Sequence, residues 1–315
     1  MIRKLSLFLV ISYAHLFSYS QNTITTEISD AKSLVEAYVS PLSYSLGSTL
    51  NNGWYNTAKP HKLGGFDITI TANIAFIPED SDVFNITESN NGTFKGGNSA
   101  TILGGLNTGG QANSSYGSNI LMPGGLNINF LPTPILQAGI GLIKNTEVNF
   151  RYMPDLEIKG VGTGLLGIGI KHDVLQWLPI VDKIPVDISI QAGYSKLTST
   201  FELNDPTNNI NPTKANMDVT ATTINIVFSK KILMFTPYAG IGYNSTKTIF
   251  NVNGEYEIAG YNIGAKDLSS LEFQNNNNLR ANIGFRFQIA ILALQANYTF
   301  SDYPIATLGV GISVR

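Results

Sequence analysis

The feature that most constrains this chain is a side-chain alternation with a period of two that returns from residue 66 to the end. Between Phe66 and Phe76 the set Phe66, Ile68, Ile70, Ala72, Ile74 and Phe76 interleaves with Asp67, Thr69, Thr71, Asn73 and Ala75. The last residues repeat it, with Leu308, Val310, Ile312 and Val314 set between Thr307, Gly309, Gly311, Ser313 and Arg315. Successive strand residues point to opposite faces, so each segment is oily on one side and wet on the other. Strands of about ten residues patterned this way are what a membrane-spanning barrel requires.

Composition agrees with that reading. Only 13% of the 315 residues are charged, about half the share usual in water-soluble domains. No run of 18 or more apolar residues follows the first 20, which excludes a conventional membrane helix. Cysteine is absent, which removes disulfides and thiolate chemistry and leaves a closed hydrogen-bonded ring as the expected source of stability. Arg3 and Lys4, an apolar block from Leu5 to Phe17, and Ser18 and Ser20 make residues 1–20 read as a signal peptide cleaved near Ser20. Without the two leader cations, 18 Lys and Arg face 22 acids, a net charge of −4. That is no footprint for nucleic acid.

The fold class expected is all-β: a transmembrane antiparallel barrel of about 12 to 14 strands with a short helical N-terminal plug. Residues 21–62 form the plug, because Ala31, Leu34, Val35, Tyr38, Leu42 and Leu46 recur at threes and fours. One or two short helices are expected there, interrupted near Pro41, and Asn51, Asn52 and Gly53 break them. Residues 63–315 form the barrel, with strands expected at 64–77, 92–103, 119–130, 133–143, 146–153 and 157–172. Six more are expected at 184–200, 214–230, 233–250, 278–288, 290–301 and 304–315. With the C-terminus inside, the connections 78–91, 201–213 and 251–277 fall outside and are long, while those near Lys144, Lys230 and Gln288 are short turns on the inner side. A small helix near Lys171 to Pro185 would place Trp177 at the membrane interface.

Charge cannot face lipid cheaply, so charged strand positions are expected to point inward. Glu147, Arg151, Asp187, Gln191, Arg280, Arg286 and Gln295 each share a face with other polar residues and lie opposite an apolar set. They are the expected lumen-facing residues. The spelling Gly162, Gly164, Gly167 matches a dinucleotide fingerprint, but the strand alternation continues where that fingerprint needs a helix. These glycines instead suit strand curvature or a close approach of the plug. His61 and His172 are isolated, without zinc spacing or a triad partner. No catalytic residue, metal site or cofactor is expected.

Gly53, Trp54, Tyr55, Asn56, Thr57 and Ala58 resemble the N-P-A signature of the long-chain fatty acid transporter family, with Thr57 in place of proline. That resemblance implies a hatch-plugged barrel and a ligand path through Trp54, Tyr55, Asn56, Thr57, Ala58 and His61. Asn52 to Lys62, Lys144 to Val148 and Lys171 to Pro179 resemble an uncharacterised outer-membrane barrel family of Bacteroidota. The last strand is similar to the signal read by the barrel assembly machinery, with Thr307, Gly309, Ile312 and Val314 in place and Arg315 where an aromatic is common. The implied setting is the outer membrane, with the lipid bilayer and the assembly machinery as partners. The expected function is a passive transporter or channel for a hydrophobic or amphipathic small molecule. The alternative is a structural or adhesive barrel acting through its extracellular loops.

Overall fold

The computed structural model describes residues 21–117, 119–158, 161–177, 185–203, 213–253, 256–258, 261–263 and 271–314. The expected signal peptide lies outside them. Ten strands close into one antiparallel barrel: β1 (Phe66–Phe76), β7 (Phe130–Leu142), β8 (Thr146–Ile158), β9 (Val161–Asp173), β10 (Asp187–Leu203), β11 (Thr213–Ser229), β12 (Phe235–Asn253), β15 (Leu271–Ile289), β16 (Leu292–Phe300) and β17 (Ile305–Val314). Each pairs with its sequence neighbour in the ring, and β1 closes the cylinder by pairing with both β17 (Phe66↔Val314) and β7 (Phe76↔Phe130). Closure leaves no edge strand, so the ladder pairs the backbone groups that lipid cannot solvate.

The barrel is therefore smaller than the 12 to 14 strands expected from the sequence. The two surplus segments, 92–103 and 119–130, lie in the long connection between β1 and β7. There the chain builds a compact cap from β2 (Val83–Asn85), β3 (Phe94–Lys95), β4 (Asn98–Ala100), β5 (Gln111–Ser114) and β6 (Asn119–Leu121), paired as β2-β4 and β3-β5-β6. Glycines explain the difference. A Cβ at Gly104 or Gly125 would strike the backbone carbonyl of Asp82 or of Gly104 itself, so these residues serve close loop-on-loop packing instead of ladder formation. A further hairpin, β13 (Tyr256–Ile258) with β14 (Tyr261–Ile263), stands in the connection from β12 to β15.

The plug segment also differs from expectation. It is one continuous helix, α1 (Gln21–Leu50), with Pro41 inside it. Proline removes one helical hydrogen bond, but from Asp30 onward α1 is packed against the wall and the cap, and tertiary packing outweighs local propensity. Of the helix expected near Trp177, the described residues show a 3-10 turn, Leu175–Trp177; the rest of that segment, 178–184, lies outside them.

Outward positions along the strands are apolar, as with Ile68, Phe150, Ile168, Ile226, Ile241, Phe285 and Val310, all solvent-accessible on the cylinder's exterior. On β1 this belt runs from Phe66 to Phe76, about 26 Å along the axis at ~3.4 Å per residue and a tilt of ~40°. That matches the apolar band, about 25 Å tall, of outer-membrane barrels.

Four strands, β10, β11, β12 and β15, are 17 or 19 residues long and rise past the belt at the end carrying the long loops. Here the two faces exchange character. On β10 the outward residues pass from Ile190 and Tyr194 to Lys196 and Thr198, while the inward ones pass from Gln191 and Ser195 to Leu197. On β11, outward Ile224 and Ile226 give way to Thr220 and Asp218, and inward Asn225 and Thr223 give way to Ala221, Val219 and Met217. Outside, Lys196 pairs with Asp218 at 2.9 Å and Lys247 with Glu272 at 2.5 Å. Inside, Leu165, Leu197, Val219 and Phe250 join Leu34, Val35, Tyr38 and Val39 of α1 and Ile86, Phe94, Leu103 and Met122 of the cap in one apolar cluster. The principal hydrophobic core therefore sits above the belt, with α1 held between a tall wall and the cap.

This crossover marks where the apolar exterior ends, and paired substitutions test it as the edge of a lipid-facing belt. Ile190→Arg, in the belt, is expected to destabilise the folded barrel by about 2–4 kcal/mol in lipid vesicles. Thr198→Arg, eight residues on along the same outward face, is expected to fall within about 0.5 kcal/mol of the parent. Urea unfolding in vesicles measures both, and equal costs would mean the edge is misplaced.

Candidate functional site: the plugged bore

The helix end determines what the bore must contain. The last carbonyls of a helix lack intrahelical partners and carry the negative end of its dipole. α1 ends inside the barrel, where water is scarce, so the wall supplies the donors. Arg151 on β8 gives Nη1 to Leu50 O and Nη2 to Asn52 O, both at 2.6 Å. Arg280 on β15 gives Nη1 to Asn51 O at 2.6 Å and Nη2 to Asn52 Oδ1 at 2.8 Å. Asn73 on β1 gives Nδ2 to Thr49 O at 2.9 Å, and Thr299 Oγ1 donates to Asn52 Oδ1 at 2.7 Å. Gln137 Oε1 accepts Arg151 Nε at 2.9 Å and so aims the guanidinium.

Below this cluster the chain descends toward β1 and is fastened at each step. The Arg151 guanidinium lies 3.5 Å from the centre of the Trp54 ring, a cation–π contact strengthened by desolvation. On the other side the indole presses on β9 and β10, where a Cβ at Gly169 or Gly193 would overlap it. Only glycine fits at those two positions. Tyr55 donates its hydroxyl to Asn282 Oδ1 at 2.8 Å and meets Tyr238 edge-on at 6.1 Å between ring centres. Asn56 Oδ1 accepts Arg286 Nη1 at 2.7 Å. The Ala58 amide donates to Ser229 Oγ at 2.9 Å, and Thr57 Oγ1 lies 3.2 Å from the same hydroxyl.

At the short-turn end the polar lining becomes ionic. The His61 amide donates to Glu147 Oε2 at 2.9 Å, and Lys171 Nζ lies 3.0 Å from Glu147 Oε1. The His61 ring approaches Asp67 at 3.5 Å and Glu147 at 3.9 Å, all three side chains being buried. This is an internal charge cluster joining plug to wall. Gln191 is buried and accepts Asn225 Nδ2 at 2.6 Å; Gln295 is buried on β16, against the position a Gly309 Cβ would take. Asp187 lies at the rim, half-buried, 3.8 Å from Lys59. His172 is tied into the rim as well: its Nε2 accepts Trp177 Nε1 at 2.9 Å, which leaves Nδ1 as donor to Thr146 Oγ1 at 2.8 Å. Trp177 itself is exposed. Among the described residues no group of three or more His, Asp or Glu is arranged to hold a metal ion.

The upper end of α1 has its own anchor. Asp30 accepts Asn91 Nδ2 at 2.9 Å and the Thr93 amide at 3.1 Å, pinning the cap to the helix. Burial opposes its charge, but the hydrogen bonds from Thr93 and Asn91 hold its carboxyl below the ordinary value of 3.8.

Asn52, Asp67, Asn73, Gln137, Lys171, Ser229, Asn282 and Thr299 also belong to this network and are not among the site residues read from the sequence. Those on strands occupy buried, inward positions beside residues that are, and Asn52 is read from the sequence as a helix breaker and as the start of the Asn52–Lys62 segment.

Both anchors are testable. Arg151→Ala removes two charge-assisted bonds to the plug backbone, worth about 1.5–3 kcal/mol each, and the bond to Gln137. It is expected to speed amide exchange in residues 51–56 more than tenfold while the β10–β12 ladder keeps its protection. Arg151→Lys is expected to restore only part, since one ammonium cannot span the carbonyls of both Leu50 and Asn52. At the other end, Asp30 has a folded pKa below its free value, so its stabilisation is complete above about pH 4 and disappears as pH falls through the folded value. Exchange at the Thr93 amide is expected to rise with that titration, and Asp30→Asn to flatten the profile.

Comparison with known proteins gives a family and, among solved structures, matches of low similarity. The translocator domain of the autotransporter NalP from Neisseria meningitidis is 10% identical over 90% of this chain and 97% of its own, with a TM-score of 0.35. Ail, the attachment invasion locus protein of Yersinia pestis, is 12% identical over 80% and 98%, with a TM-score of 0.29. The outer membrane protease OmpT from Escherichia coli is 11% identical over 84% and 99%, with a TM-score of 0.32. No curated protein matches. The model of the Family of unknown function (DUF6588) matches residues 1–314, and the chain belongs to that family.

Proposed function

We propose that this protein is a sealed outer-membrane anchor whose working surface is the folded structure at its long-loop end. One observation carries the reading: the bore is filled by a plug whose backbone is gripped by wall arginines at Leu50, Asn51 and Asn52. Barrels of outer membranes have short periplasmic turns and longer outer loops. That rule puts the cap, the β13-β14 hairpin and the start of α1 outside the cell, and Lys59, His61 and Val314 on the periplasmic side. It also turns the apolar cluster above the belt into the core of a rigid extracellular platform, suited to adhesion or to holding a partner.

The transport reading that followed from the fatty-acid-transporter resemblance fits the geometry less well. A hydrophobic solute would have to pass Arg151, Arg280, Arg286, Glu147 and Lys171, and uncompensated desolvation of those groups costs several kcal/mol each. Trp54 to Ala58 and His61, proposed for a ligand path, are fasteners in this reading. Trp177 remains a proposed interfacial anchor.

Two measurements test the proposal. Vesicles containing the intact protein are expected to stay closed to small sugars and to show no steady conductance, whereas the double variant Arg151→Ala, Arg280→Ala is expected to leak. Steady conductance through the intact protein would overturn the sealed reading. Because the chain lacks cysteine, Ser29→Cys, exposed on the outer part of α1, is expected to react in intact cells with a membrane-impermeant maleimide. Lys59→Cys is expected to react only after the outer membrane is opened, and the reverse pattern would invert the orientation.

A further inference from the structure

The two ends of the barrel differ in chemistry, and the short-turn rim is both basic and oily. Where the chain enters β1, Lys62 and Leu63 are exposed, and the Gly64 amide donates to Gly141 O at 3.1 Å while the Gly141 amide donates to Gly65 O at 2.8 Å. This brings them beside the turn from β7 to β8, whose tip carries exposed Ile143 and Lys144. On the opposite side of the ring, the turn from β11 to β12 repeats the combination. Lys230 and Lys231 are exposed there, and Leu233 and Met234 follow at 87% and 53% exposure.

Among the described residues, the carboxylates at this end are already committed. Asp67 and Glu147 are buried against His61 and Lys171, Asp187 faces Lys59, and Asp173 Oδ1 accepts the Leu175 amide at 2.9 Å. At the outer end, by contrast, the strand lysines Lys196 and Lys247 are matched by Asp218 and Glu272.

Aliphatic tips that continue the lipid belt, each flanked by two lysines, have the composition of a surface lying in a headgroup layer. Long lysine stems can follow apolar surface while the ammonium reaches phosphate. We infer that the rim of Lys62, Lys144, Lys230 and Lys231 binds the anionic glycerophospholipid headgroups of the periplasmic leaflet, at two sites on opposite sides of the barrel. This rests on the orientation and membrane reading proposed above. Two features point to lipid rather than to a soluble anion: the basic pairs adjoin the hydrocarbon belt, and exposed aliphatic tips stand beside each pair.

The test uses the full chain reconstituted in nanodiscs of phosphatidylcholine with one-fifth phosphatidylglycerol, released with mild detergent and weighed by native mass spectrometry. The intact protein is expected to retain phosphatidylglycerol in preference to phosphatidylcholine. Lys62→Gln with Lys144→Gln, and separately Lys230→Gln with Lys231→Gln, are each expected to remove one class of retained lipid. The retention constant should fall about fivefold per lysine, the scale of a basic residue at an anionic membrane surface. Lys95→Gln, exposed in the cap, is the control and is expected to change nothing. Equal retention by the rim variants, or competition by inorganic phosphate as effective as by lipid, would overturn the inference while leaving the barrel reading intact. Failure of the protein to enter the nanodiscs would instead remove the membrane reading itself.

Discussion

Everything in this structure depends on one constraint: a strand in a closed ring has two faces, and each must suit the medium on its own side. Within the bilayer the outside is hydrocarbon, so Ile190, Ile226 and Ile241 face out while Gln191, Asn225 and Arg280 face in. Above the bilayer the outside is water, and the same strands carry Lys196, Asp218 and Lys247 outward with Leu197, Val219 and Phe250 inward. The period of two does not change along β10 to β12; only its sign does. The crossover gives the protein a conventional hydrophobic core where water is outside and a polar interior where lipid is outside.

That division decides how the plug is held. In the upper part α1 packs by apolar contact, with Leu34, Val35, Tyr38 and Val39 against the wall and the cap. In the lower part apolar burial is confined to a small cluster of Trp54, Tyr55, Ala58, Val227 and Tyr238, and most of the barrel interior around it is polar. Hydrogen bonding takes over, and it begins where the helix stops providing its own bonds. Placing guanidinium groups at those orphan carbonyls satisfies two needs together: the helix end gains donors and a compensating charge, and the buried arginines gain acceptors.

The barrel was legible in the sequence wherever one face met lipid, because alternation is strongest when the two media differ most. β1, β16 and β17 could be read almost residue by residue. The segments 92–103 and 119–130 misled because their short strands lie in a cap whose residues meet protein on several sides, and their glycines serve loop packing that no period reveals. α1 was visible as a repeat of threes and fours, but its continuity through Pro41 was not, since that depends on the surrounding packing. The inward orientation of Arg151, Arg280 and Arg286 followed from alternation. Their partners did not, because carbonyls of Leu50 to Asn52 leave no mark on side-chain pattern.

The choice of arginine over an apolar filler bears on what the plug is for. Replacing a buried ionic network by well-packed hydrophobic residues is often neutral or stabilising, so retention of three arginines is weak evidence for stability alone. What arginine adds is directional specificity: a planar fork bridges two carbonyls only in one register. Sliding α1 by a single residue would rotate Leu50 and Asn52 away from Arg151 and lift Trp54 off Gly169 and Gly193. An apolar bore would tolerate such slippage, as greasy surfaces accept many registers. The network therefore fixes the height of the helix, and with it the position of Asp30 under the cap. A geometry set deep in the bore thereby determines the shape of the surface at the other end.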